Sequence, residues 1–299
     1  VGDSTNKGAF IAIAAIGEGG LAESARIGVT ADAAPATGEH IAVATGADNG
    51  YYEGSITSDA GGQYGILREG DEVNLYNGLP HKHLLCGTAC SHDGETHTDV
   101  LTWTAVSDLS EITKAGHYYL TQSVTQSSEW QPVDGVVLCL NGYDIICEKN
   151  GANTLKLANG HNFTLSDCKG TGRITHADGL TGTGVYLDSA GTFTLFGGSI
   201  SGNVSSDSSG VLLDNGSNSG GKGTAFNMYG GEITGNTATG FGGGIDSAVD
   251  TYTQENWVYA LSGKMNITGN KLGEADNNLF LATGKKLPAV TGLTAGSTI

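Results

Sequence analysis

"FTLFGGSISGN", Phe193–Asn203, returns as "FNMYGGEITGN" at Phe226–Asn236 and as "YALSGKMNITGN" at Tyr259–Asn270. The starts, at positions 193, 226 and 259, are evenly spaced, and a degenerate copy, "FTLSDCKGTGRITH", begins one slightly shorter interval earlier at Phe163. A fixed period of this size marks a solenoid or an array. Alongside the copies run second short apolar stretches: "TLKLA" (154–158), "GVYLD" (184–188), "GVLLD" (210–214) and "GGID" (243–246). None of these pieces has apolar residues at i, i+3, i+4 and i+7, which removes helical arrays of similar period. A unit this small buries its apolar side chains only by stacking on the next one. Stacking places equivalent strands about 4.8 Å apart in parallel, in-register ladders. Phe193, Phe226 and Tyr259 then share one column, and Ile200, Ile233 and Ile267 another. Asn203, Asn236 and Asn270 form an amide ladder at a corner, each side chain bonding its neighbours along the axis. The pairs Gly197–Gly198 and Gly230–Gly231 fall where a corner needs positive φ or close backbone approach. The fold class is all-β.

This pattern resembles the right-handed parallel β-helix of pectate-lyase-like proteins. More narrowly, it is similar to the "GG-x-I-x-GN" repeats of large surface proteins of Gram-positive gut bacteria. The resemblance covers about Val133 to Leu281. It implies a right-handed solenoid in an extracellular or cell-surface protein, and its motif is specific for architecture and weak for activity.

Composition agrees. Glycine numbers 49 of 299 residues without a three-residue period, and proline only 4, which excludes collagen. Apolar residues make up 38% of the chain in strand-sized runs, which argues against disorder. The net charge of −17, from 31 acids and 14 bases, repels nucleic acid and anionic membrane surfaces alike. Its plain meaning is the solubility of a secreted protein. No apolar run approaches the roughly 20 residues of a membrane span, so no membrane insertion is expected. "FIAIAAIGEGGLAESA", Phe10–Ala25, looks superficially like a leader, but its apolar part alternates as a strand does.

Four regions follow. Residues 1–30 are a strand segment, 31–80 a small β-hairpin or flap, 81–100 a His/Cys-rich loop, and 101–299 the parallel β-helix. The flap contains "YYEGSITSDAGGQYGILREGDEVNLY", Tyr51–Tyr76, in which Tyr51, Tyr52 and Tyr64 suit packing first and sugar stacking second. The loop carries His81, His83, Cys86, Cys90, His92 and His97. Imidazole and thiolate together suit zinc, and four of the six suffice to close a tetrahedron in a structural site. A Cys86–Cys90 disulfide in an exported protein and plain surface histidines are the competing readings. A similar His/Cys-rich segment precedes a "W…G-x-YYLT…LCLNGY" stretch in the surface proteins resembled, which implies a structural role. Cys139, Cys147 and Cys168 sit in apolar strand contexts and read as small core residues.

The phrase "LTAGSTI", Leu293–Ile299, nearly repeats "LAESARI", Leu21–Ile27, from the other end of the chain, and "NNLFLATG" (277–284) echoes "NKGAFIAI" (6–13). The opening segment therefore reads like the closing coil of a solenoid. This suggests one unit of a tandem array, or a protomer that joins copies of itself head-to-tail by strand addition. Open parallel edges of that kind give a filament.

Chemistry is the weaker reading. Glycoside hydrolysis needs two carboxylates facing across a cleft, and Asp188, Asp214 and Asp246 close successive short strands where they would line one face. Asp is also a routine corner residue. No P-loop, dinucleotide fingerprint, G-x-S-x-G or H-E-x-x-H occurs. The expected function is a non-catalytic structural or adhesive module, with a glycan or host surface as a further partner. The alternative is a glycan-active β-helix enzyme.

Overall fold

Residues 11–12, 27–29, 40–45, 56–58, 64–69, 72–77, 81–86, 97–214, 224–247, 258–281 and 292–299 are described by the computed structural model. They fall in two units, Val1–Pro80 and His81–Ile299. Most of Phe10–Ala25, and Tyr51 and Tyr52, lie outside the described residues.

The second unit is a parallel β-helix of about four turns. Short β-branched and aromatic strands alternate their side chains, so every second residue points into the coil. Val136, Phe163, Phe193 and Phe226 occupy one inward position in successive rungs, and the register continues to Tyr259. The rings of Phe163 and Phe193 stack at 5.8 Å and 10°, those of Phe193 and Phe226 at 5.5 Å and 18°. Trp130 closes the N-terminal end of this column, edge-on to Phe163 at 5.3 Å. Leu138, Leu165, Leu195, Met228 and Leu261 form the next column. A second sheet stacks Leu155, Val185, Val211, Ile245 and Leu279. On a third face Ile145, Ile174, Ile200, Ile233 and Ile267 lie one over the next. The predicted columns are present. Residues 293–298 lie along Val258–Thr268 through parallel bridges Gly263↔Leu293 and Asn266↔Thr298.

The glycine pairs do what their spacing implies. Gly198 and Gly231 have φ of 81° and 76°. A Cβ on Gly231 would lie 2.6 Å from the Gly198 carbonyl oxygen, so the stacked corners approach too closely for a side chain.

The amide ladder is longer than its repeat. Asn203 donates from N and Nδ2 to Asn236 Oδ1 at 3.1 and 3.0 Å, and Asn236 does the same to Asn270 Oδ1 at 3.1 and 2.9 Å. Asn270 in turn donates to Asn278 Oδ1 at 3.2 and 3.1 Å. At the opposite end stands His176, which in the degenerate copy falls one place before the position of the repeat's asparagine. Asn203 Nδ2 faces the Ile174 carbonyl as well as Asn236, so its Oδ1 must be the atom 2.8 Å from His176 Nδ1. His176 Nε2 lies 2.9 Å from the Ala152 carbonyl oxygen. Both ring nitrogens thus meet acceptors, an arrangement only the imidazolium satisfies fully. Burial pulls the pKa of His176 down, but hydrogen bonds to Cys147, Asn203 and Ala152 outweigh it and leave the pKa raised. A raised folded-state pKa adds stability that is complete below the unfolded value of about 6.5 and is lost as pH rises through the folded one. The stability gap between the native chain and His176→Gln, measured by urea unfolding, is therefore expected to be larger at pH 5.5 than at pH 9. A gap constant across that range would contradict the assignment.

The first unit holds a small sheet. His40–Thr45 pairs antiparallel with Glu72–Asn77, which pairs antiparallel with Tyr64–Glu69. Two further pairs are parallel, Ile11 with Ala44 and Ile27 with Ile56, and each joins strands separated by close to one coil's length of chain. Among the described residues no helix is long and apolar enough to cross a membrane.

Candidate metal centre

In Val136–Cys139, Leu138 points inward, so alternation turns Cys139 to the outer face of the sheet. It is nonetheless fully buried. The cover is the strand His81–His83, which runs antiparallel to Leu101–Trp103. His81 and His83, two positions apart, share one face of that strand. His81 stacks on Tyr119 at 4.1 Å, and His83 stacks on Trp103 at 4.2 Å. Cys168, just beyond the strand Asn162–Ser166, completes the group, its Sγ 3.6 Å from His81 Nε2.

One ligand-type atom from each of His81, His83, Cys139 and Cys168 lies within 4.8 Å of every other. Around a tetrahedral ion with bonds of about 2.0–2.3 Å, ligand atoms stand about 3.3–3.8 Å apart. Small side-chain rotations close that difference. His83 Nδ1 donates to the Leu84 carbonyl at 2.5 Å, which fixes the tautomer and leaves a lone pair on Nε2. That Nε2 is buried and has no hydrogen-bond partner. The electrostatics suit neutral imidazole ligands. Burial, with His83 and Lys169 close by, lowers the pKa of His81 to about 4. Burial also lowers His83, against the Leu84 hydrogen bond and Asp167. It raises the Cys139 thiol.

Of the six residues read from the loop, the structure brings His81 and His83 into this group. Cys86 is disulfide-bonded, and its partner lies outside the described residues. A disulfide sulfur carries no proton, so His97 Nδ1, 2.8 Å away, is the donor between them. The His97 ring also packs edge-on to Phe196 at 5.6 Å. Cys90 and His92 lie outside the described residues. The other two members come from cysteines read as core. Cys147 keeps that place, buried on the inward face of Ile145–Cys147. Cys139 is buried under the His81–His83 strand instead, and Cys168 is only half-buried.

The three aspartates do not share one ladder. Leu187 pairs with Leu213, so Asp188 and Asp214 are equivalent, but Asp246 pairs with Leu212, two positions earlier. Asp188 lies 3.8 Å from Lys156, and Asp214 accepts from the Tyr186 hydroxyl at 2.8 Å. Asp246 is 1% exposed and accepts from Ser208 Oγ and Gly242 N. Burial pushes its carboxyl upward against those two donors. Tyr186 and Asp214 line a polar cavity of about 270 Å³, with Asp207, Thr181 and Ser205.

No family model, curated protein or solved structure matches this chain.

Proposed function

We propose that the chain is a non-catalytic structural or adhesive module of the bacterial cell exterior, built on stacked coils. We further propose that copies or adjacent repeats join head-to-tail, and that zinc is the ion suited to the His/Cys group. The observation that carries this reading is the axial ladder Asn203–Asn236–Asn270, whose buried amides hold turn to turn and which half-buried Asn278 closes at one end. Polar groups committed to the axis serve rigidity. Two imidazoles with two thiols favour zinc over calcium or magnesium, which take oxygen ligands. The solenoid-like parallel pairings inside the first unit, Ile11 with Ala44 and Ile27 with Ile56, support end-to-end continuation.

The second reading, a glycan-active enzyme, is favoured by the cavity beside Tyr186 and Asp214. A glycan array run with a reducing-sugar release assay separates the two. Binding without release, unchanged by Asp214→Asn, is the expected result. Sugar release abolished by that substitution would overturn the structural reading. Electron microscopy is expected to show end-to-end rods, and dispersed monomers alone would remove the assembly.

A further inference from the structure

The His81–His83 strand pairs with Leu101–Trp103 along its short length only. It nevertheless covers Cys139 and sits as the terminal strand of the twelve-stranded sheet. Its underside is imperfectly satisfied: the lone pair of His83 Nε2 is buried without a partner. The Ser166 hydroxyl, one rung from Cys139, is orphaned as well. Buried polar atoms without partners oppose burial, and the ring stacks of His81 and His83 hold this strand without answering those atoms. The four ligand-type atoms of His81, His83, Cys139 and Cys168 converge at this same place.

We infer that these four side chains form one closed, four-coordinate site for a divalent ion, and that the bound ion latches the 81–86 segment onto the outer face of the solenoid. The inference rests on the zinc reading above. The two thiols each release a proton to solvent as they bind, and the two neutral imidazoles donate lone pairs. No position is left for substrate, so the ion's work is mechanical. It joins a strand that precedes the β-helix to two consecutive coils, and its outermost ligands, His81 and Cys168, are far apart in the chain. Trp103, stacked on His83 and donating from Nε1 to the His83 carbonyl at 3.4 Å, sits where loss of the latch alters its fluorescence.

The test uses the full chain, loaded with cobalt(II) as a spectroscopic stand-in and with zinc. Expected results are one ion per chain, a thiolate-to-cobalt charge-transfer band, and at least a tenfold loss of affinity in Cys168→Ser. Removing zinc with a chelator is expected to raise backbone amide exchange of residues 81–86 and 101–103 about tenfold or more, local opening being the low-energy route. Exchange within Thr192–Leu195 and Ala225–Thr234 stays unchanged. One bound ion with the thiolate band but no change in exchange would overturn the latch and leave the zinc reading standing. Absence of any binding would overturn both. The chelation measurement needs no variant, so misfolding of Cys168→Ser does not cloud it.

Discussion

Asn236→Ala is expected to lower the free energy of unfolding by about 3–5 kcal/mol, because each unpaired buried group costs about 1–3 kcal/mol. The side chain is 0% exposed. Its removal strands the N of Asn203 and one of the two Nδ2 protons, which donate to it. It also strands the Ile200 carbonyl, 2.9 Å from Nδ2, and one donor to Asn270 Oδ1. In the native chain the three ladder asparagines are closed off from bulk solvent. Asn227→Ala, which removes one long contact of 3.4 Å to Thr194 from a half-buried position, serves as the comparison and should cost well under half as much. Urea unfolding followed by circular dichroism measures both. Equal losses in the two variants would mean that the ladder stabilises no more than a half-buried amide.

Phe193→Ala is expected to cost a similar amount, about 3–5 kcal/mol, the usual range for emptying a buried aromatic site. Phe193 is the middle ring of a column, stacked on Phe163 on one side and on Phe226 on the other. Its loss removes two ring contacts and leaves a void that neighbouring turns fill only by shortening the ladder pitch. Those turns are pinned by backbone hydrogen bonds, so collapse is restricted. Phe193→Leu keeps most of the volume and should cost about 1–1.5 kcal/mol. A loss below that from the alanine variant would show that the coils are not packed through this column.

The columns were legible because the period repeats the same residue types at the same inward positions. Phe163, Phe193 and Phe226 recur about one period apart and pair in register. The aspartates were misaligned for a simple reason. "GVLLD" has two leucines between its valine and its acid, whereas in "GGID" the acid follows isoleucine directly. Aligning on the β-branched residue, as the register does with Val211 and Ile245, places Asp246 with Leu212. His176 was recoverable from "RITH", where a histidine precedes the place of the ladder asparagine. The His/Cys group was only half legible. The nearness of His81 to His83 is local, but Cys139 and Cys168 belong to two later coils, far along the chain from both. They meet the histidines because an antiparallel strand folds back over the sheet, and no period records that return.

The amides of Asn203, Asn236 and Asn270 pass their hydrogen bonds the same way along the axis, Nδ2 toward Asn278 and Oδ1 toward His176. Aligned dipoles in series do not cancel, so the column is electrically polar from one extremity to the other. At one end Asn203 Oδ1 meets His176 Nδ1, whose ring reaches on to the Ala152 carbonyl, and at the other Asn270 donates to Asn278 Oδ1. The two ends of the column are therefore closed by opposite chemistry, a proton supplied at one and an oxygen at the other.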